Sequence, residues 1–268
     1  MLILAIDTTG NKASVAIGGR NGVIAEERAN EDLNHLKGLT LMADAIIKGN
    51  GYTYEDVKFI AVSEGPGSFT GIRIGVSTAR ALAQAWGLQT VSVPTLTSFV
   101  HNAPGYGGIV CPLFDARREQ VYCGLYRLGQ NRTADGAQSC LAPLTEFGAD
   151  IYGEAEILAP GAARSLGEIR GILEVADASR TDSEVMFFGD GLDRYAEDIS
   201  EWASGFENLT ARFAEGETRY QRAASIIKMA YGMIARGETV SYDALKPVYL
   251  RKAEAERKLE QQRLTDAK

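Results

Sequence analysis

The order of apolar runs and breaks constrains this chain more than any other feature of it. Residues 2–7, 13–18 and 23–28 read as three strands, the first pair joined by the turn Thr8-Thr9-Gly10-Asn11. A helical stretch over 32–48 stops at Gly49-Asn50-Gly51, and 58–63 returns to strand. A second helix, capped by Ser68 or Thr70, reaches about Trp86, and 90–93 is again extended. The order βββαβαβ predicts a mixed sheet covered by helices. The pattern then restarts. An apolar run over 109–114 meets the turn Asp115-Ala116-Arg117-Arg118, and alternation resumes over 120–125. Strand, aspartate, turn and strand follow one another there as they do around Asp7, a likeness of pattern and not of residues. The expectation is an α/β chain of two duplicated subdomains, each a mixed sheet flanked by helices, over 1–104 and 105–215. The second contains a helix over 166–176, a strand over 185–188 and a helix after Gly191, whereas 129–164 is rich in Gly, Ala and Pro and signals little. Residues 216–251 hold a helix over 221–235 and a short extended piece over 246–251, expected to pack back on the body. Residues 252–268 form a charged tail.

A chain of 268 residues, 45% hydrophobic, can bury a sizeable core. Its net charge of -7 disfavours non-specific binding to phosphate backbones, so any nucleic acid is expected to be held mostly by another subunit. No stretch approaches the ~18 apolar residues of a membrane span, and the apolar start is cut at Asp7 without signal-peptide features. A cytoplasmic protein is expected. The three cysteines, Cys111, Cys123 and Cys140, lack metal-ligand spacing and read as reduced thiols. The two histidines, His35 and His101, have no partner at metal spacing, and neither a Ser-His-Asp nor a Cys-His arrangement finds support. No metal site and no catalytic residue are expected.

Four features remain. Asp7-Thr8-Thr9 ends a buried strand, where backbone N–H groups and hydroxyls can meet a phosphate and Asp7 a magnesium shell; the alternative is a turn that caps itself. The run Glu64-Gly65-Pro66-Gly67-Ser68-Phe69-Thr70-Gly71-Ile72-Arg73-Ile74-Gly75 lets backbone approach a ligand or another segment between a strand and a helix. It is neither a Walker loop nor a dinucleotide fingerprint. In the helix that follows, Gly71, Gly75, Ala79 and Ala83 recur every four residues and make a smooth stripe that admits a close neighbour. In the preceding helix Leu33, Leu36, Leu39, Met42, Ala43, Ile46 and Ile47 cover half the circumference, more than one sheet requires. Leu36, Leu39, Met42, Ile46 and the small-residue stripe are therefore the candidate partner surface, unless a second layer of the same chain covers them.

With Asp7-Thr8-Thr9, the Gly65 to Gly75 run and Asp115-Ala116-Arg117 in view, the chain resembles the TsaB family, bacterial non-catalytic subunits that help install threonylcarbamoyladenosine in tRNA. The likeness runs from Met1 to about Leu128 and resumes at Phe188-Gly189-Asp190-Gly191 and Pro247-Val248-Tyr249-Leu250-Arg251. It implies the actin/Hsp70/sugar-kinase fold, a catalytic paralogue, TsaD, and an ATPase, TsaE, as partners, a homodimer when alone, and tRNA contact only through the complex. In this fold Asp7, Thr8, Thr9, Gly65, Gly67, Gly189 and Gly191 stand where phosphates are held. Lysine or arginine to neutralise a triphosphate is not evident there, so ATP and magnesium are expected only within the complex. In the paralogue two histidines four apart bind a metal. Thr95 and Phe99 occupy those positions here, and neither replaces an imidazole. An ATP-dependent kinase of the same fold is the alternative. It needs a catalytic base near the cleft, where Asp7 and Asp115 find no third convergent group. The absent ligands argue against a metalloprotease.

Overall fold

The computed structural model describes residues 1–29, 38–129, 152–177, 183–206 and 208–251. It contains two five-stranded mixed sheets. The first is built from β1 (Leu2–Asp7), β2 (Ser14–Gly19), β3 (Gly22–Arg28), β4 (Val57–Gly65) and β5 (Gln89–Pro94), in the order β3-β2-β1-β4-β5. β1, β2 and β3 pair antiparallel, while β4 and β5 add parallel. The second is built from β6 (Ile109–Asp115), β7 (Val121–Leu128), β8 (Ala155–Arg164), β9 (Ser183–Phe188) and β10 (Leu209–Phe213). Its order is β8-β7-β6-β9-β10, with the same antiparallel and parallel pairings. Helices fall at matching places: α1 (Leu39–Gly49) and α2 (Phe69–Trp86) in the first half, α4 (Leu166–Asp177) and α5 (Leu192–Ala203) in the second. Each half thus runs βββαβαβ, a duplication of topology.

Strand alternation decides how the first sheet is covered. Leu2, Leu4 and Ile6 face one core with Val15, Ile17, Ile60 and Val62, and α1 and α2 close it. Ile3, Ala5, Ala16 and Ala61 face the other side, where α6 (Ala223–Ala235) lies. The alanines there leave room for α6 to approach closely. In the second half Ile169 and Leu173 of α4 and Leu192 and Ile199 of α5 cover the sheet. A separate cluster joins the halves: Leu96 of α3 (Thr95–Ser98), Phe99 and Val100 of the 3-10 turn after it, Phe114, Tyr126, Phe188 and Leu250.

Local chemistry accounts for several boundaries. Ser68 caps α2, its Oγ accepting from Gly71 N at 3.2 Å, and Gly87 ends the helix at φ 66°. α6 begins at Ala223, two residues later than its sequence suggests, because its cap is not local. Ser14 Oγ accepts from Ala223 N, and Glu26 Oε1 accepts from Ala224 N, both at 3.0 Å. β8 escapes sequence reading because its residues, Ala-Glu-Ile-Leu-Ala-Pro-Gly-Ala-Ala-Arg, are poor strand formers. It is an edge strand, the one place in a sheet where a proline costs little. β10 and α3 are likewise absent from the sequence reading. The stretch 246–251, expected to be extended, belongs to no strand and bends at Leu250 and Arg251. The expected start of the first helix, with Leu33, His35 and Leu36, lies outside the described residues, as does Cys140; Cys111 and Cys123 are buried free thiols.

Candidate functional site

Of the four loops singled out by sequence, the Asp7 turn packs on the Gly65–Gly67 loop and the end of β6 on the Gly189–Gly191 loop, and the polar groups of the first pair are turned on each other. Asp7 is fully buried. Its Oδ1 accepts from Thr9 N at 2.9 Å and Thr9 Oγ1 at 2.7 Å, and its Oδ2 accepts from Ser63 Oγ of β4. Burial pushes its carboxyl above the usual range, while the bonds from Ser63 and Thr9 pull it down. Oδ1 thus fixes the turn, and Oδ2 ties it to β4. Thr8 is equally buried, and its Oγ1 donates to Gly71 O at 2.7 Å.

The glycines serve these contacts. A Cβ on Gly71 would stand 1.9 Å from Thr8 O, one on Gly75 2.2 Å from Thr8 Oγ1, and one on Gly67 2.4 Å from Thr9 O. Ser68 N donates to Thr9 O at 2.7 Å. The second half repeats the device: a Cβ on Gly189 would stand 2.1 Å from Leu113 O, and Gly191 N donates to the same oxygen at 3.0 Å. Gly65 lies against a more distant neighbour, with its Cβ position 2.3 Å from Val248 O. Close backbone approach is what these glycines permit, and the backbone approached is this chain's own.

The small-residue stripe requires a correction. Gly71, Gly75, Ala79 and Ala83 are all buried against the Thr8 turn and the first core, so they face this chain's own sheet and not a partner. Leu39 and Ile46 are buried in the same core, and Met42 is half-buried against it. A helix looks over-covered when the sheet beneath it takes more of its circumference than a single stripe. What faces outward is a different and mixed set: Thr40, Leu41 at 71% exposure, Ala45 and Lys48 on α1, and Arg73, Ser77, Arg80, Ala81, Gln84 and Ala85 on α2, beside half-buried Ile74 and Leu82. Sequence reading passed over Leu41 and Ala81 because periodicity shows an apolar arc but not where its centre lies.

Segment 216–222 runs between the halves and fills much of the space around these loops. Gln221 lies over Gly10. Arg219 Nε donates to Gly189 O at 2.9 Å, and Gly189 N donates to Arg219 O at 2.7 Å. Arg28 pairs with Glu217. A cavity of about 200 Å³ remains, lined by Lys12, Ser14, Arg28, Glu217, Tyr220 and Gln221, among others. Drug-sized ligands typically occupy roughly 300–1,000 Å³. Arg219, Gln221 and Glu217 carry no sequence motif and were not anticipated. In the second turn, Asp115 Oδ1 accepts from Arg117 N at 2.7 Å, as Asp7 does from Thr9. Burial raises the pKa of Asp190.

Thr95 and Phe99, the two positions that the resemblance sets against metal-binding histidines, are sealed. Both are fully buried. Thr95 Oγ1 accepts from Gly65 N at 3.1 Å, and the Phe99 ring meets Phe114 and Phe188 edge-on at 5.6 and 5.7 Å. His101, next along, is buried against Tyr152. Among the described residues no three His, Cys, Asp or Glu side chains group closely enough to hold a metal ion, and no helix is long and apolar enough to cross a membrane.

Two sheets of one topology joined by a shared aromatic cluster define a two-lobed α/β protein of the actin/Hsp70/sugar-kinase class. A family model described as "TsaD: tRNA N6-adenosine threonylcarbamoyltransferase" matches residues 16–259, and the chain belongs to that family. Within it, the chain is similar to the tRNA threonylcarbamoyladenosine biosynthesis protein TsaB of Bacillus subtilis, 36% identical over 47% of this chain and 56% of that one. It is also similar to TsaB of Escherichia coli, 27% identical over 97% of this chain and 98% of that one. Among solved structures, an uncharacterized protein with similarity to peptidase YEAZ from Pseudomonas aeruginosa superposes with a TM-score of 0.70 at 25% identity. That match covers 93% of this chain and 99% of the other.

Proposed function

We propose that this chain is a non-catalytic accessory subunit in tRNA threonylcarbamoyladenosine biosynthesis, pairing with a catalytic paralogue of the TsaD kind and, through it, with the ATPase TsaE. The observation that carries this reading is Phe99. An aromatic ring packed between Phe114 and Phe188 stands where the paralogue has a metal ligand. The names of the similar proteins support the part in threonylcarbamoyladenosine biosynthesis. With a net charge of -7, the chain meets tRNA only through its partners.

The partner surface in this reading is the outward side of α1 and α2, and the same surface pairs two copies when the partner is absent. Leu41→Glu and Ala81→Arg place charges on exposed positions, so the fold should be unchanged by circular dichroism. Each variant is expected to weaken co-purification with the paralogue about 30-fold, the size of losing one hot spot, and to depress tRNA modification in the reconstituted system accordingly. Normal pairing by both variants would place the interface elsewhere. Modification of tRNA by the wild-type chain alone would end the non-catalytic reading.

Weak or absent nucleotide binding is the second part of the proposal. It rests on the inward-turned groups of Asp7, Thr8 and Thr9 and on the space taken by 216–222. Calorimetry with Mg-ATP on the isolated chain should give no saturable heat at micromolar concentrations. A low-micromolar dissociation constant would instead favour the kinase alternative.

A further inference from the structure

The segment 246–251 crosses from the first half to the second, with Val248 and Tyr249 anchored on the first half, Leu250 where the halves join and Arg251 on the second. Val248 N donates to Glu64 O at 2.8 Å, at the end of β4. The Tyr249 ring packs on Phe69 with centroids 4.5 Å apart, and its Oη accepts from Arg73 Nε at 2.9 Å. Both partners lie in the first turns of α2, where the Arg73 guanidinium also sits 4.0 Å over the Phe69 ring. Leu250 enters the cluster that joins the halves. Arg251 then reaches the β6–β7 turn, where Nη1 donates to Ala116 O at 2.8 Å and Nη2 to Gln120 Oε1.

The turn that Arg251 grips is a strained one. Arg117, Arg118 and Glu119 have φ of 60°, 57° and 59°, three successive left-handed residues and none of them glycine. Each such residue is disfavoured by the clash of its Cβ with the following carbonyl, so the conformation needs external support. Ala116 N donates to Gln120 O at 2.9 Å and closes the turn. The Arg251 guanidinium bridges the same two residues from outside.

We infer that residues 246–251 are an interlobe clasp, which ties the conformation of the β6–β7 turn to the N-terminal end of α2. Only two residues separate Val248 from Arg251, a span of at most about 10 Å when extended, so the segment has little slack. Displacing Tyr249 from Phe69 and Arg73 therefore pulls on Arg251, and loss of Arg251 frees the turn. The clasp stands on contacts within this chain and is independent of the docking reading. If that reading also holds, α2 gives a bound partner a route to the second half.

Amide hydrogen exchange by mass spectrometry on the full chain tests it. Arg251→Ala should speed exchange over 116–120 by at least roughly tenfold, the effect of losing a hydrogen bond to a charged group. Tyr249→Ala, whose ring contacts are with α2, should speed exchange over the same residues although it touches none of them. The double variant should do no more than the stronger single one, because both break one linkage. Exchange in β1 and β4 should stay at the wild-type rate. If Tyr249→Ala leaves 116–120 unchanged, or if exchange rises evenly across both sheets, the clasp is refuted: Arg251 is then only a local prop, or the variants merely destabilise the fold.

Discussion

Ala79→Arg is expected to leave the chain largely unfolded, and Gly71→Ala to lower its stability by about 3 kcal/mol. Ala79 has no exposed surface and lies in the core between α2 and the first sheet. A guanidinium there would lose its water without gaining an anion. Uncompensated buried charge costs on the order of 3–5 kcal/mol, a large fraction of the 5–15 kcal/mol that holds a domain together. At Gly71 the obstacle is steric. The new methyl would stand 1.9 Å from the carbonyl oxygen of Thr8, a backbone atom that cannot rotate away. The hydroxyl of Thr8 donates to the carbonyl of Gly71 itself, so shifting the helix to make room breaks that bond as well. Urea unfolding of Gly71→Ala, and the soluble yield and circular dichroism of Ala79→Arg, measure the two effects. Ala81→Arg, two residues further along α2 and exposed, is the control and should change stability by no more than about 0.5 kcal/mol. A well-folded Ala79→Arg protein would mean that α2 is turned differently on the sheet. The contrast also decides which substitutions can report on partner binding, since one that unfolds the subunit abolishes pairing for an uninformative reason.

Acid should destabilise the protein through His101, by about 3 kcal/mol between pH 6.5 and 4. Burial holds the imidazole pKa down, from 6.5 to about 4, with a smaller push from the nearby Lys228 ammonium. The folded state therefore keeps His101 neutral over a range in which the unfolded chain protonates it. The unfolded state binds more protons there, so stability is full above pH 6.5 and falls as pH drops towards 4. Asp7, Glu64 and Asp190 act in the opposite sense, because burial raises their pKa values and their protonation on acidification favours the fold. For this reason the informative quantity is the difference between wild type and His101→Phe, which keeps a ring against Tyr152 and removes the titrating group. Unfolding free energies at pH 7 and pH 4.5 should show the variant losing markedly less stability than wild type. Equal losses in the two proteins would assign the acid sensitivity to other groups.

The periodicity of the chain carried the architecture. The apolar run over 2–7 and the breaks at Gly10, Gly49 to Gly51 and Gly65 to Gly67 are local signals, and β1, β4 and α2 fall where they point. The duplicated order was also visible, because strand, aspartate and turn recur at Asp7 and Asp115, and both aspartates do brace their turns by accepting from the N–H two residues on. That a phenyl ring at Phe99 cannot ligate a metal is legible from residue type, but that Thr95 and Phe99 match ligand positions came from the family resemblance.

Direction and partnership were not legible. A helix with apolar residues over half its surface gives the same sequence signal whether a sheet or a second protein covers it. Only the position of α2 over β4 and the Thr8 turn shows that Gly71, Gly75, Ala79 and Ala83 face inward. The cap of α6 comes from Ser14 and Glu26, roughly two hundred residues away in sequence. The filling around the Asp7 turn comes from Arg219 and Gln221, and the grip on the β6–β7 turn from Arg251, all without a local pattern. The sequence by itself determined most of the strands and helices and the duplicated order of the two halves, though not β8, β10 or α3, because propensity and residue type act over a few neighbouring positions. The tertiary structure alone decided which groups are spent on one another, because hydrogen bonds and close packing depend on distances that chain order does not contain.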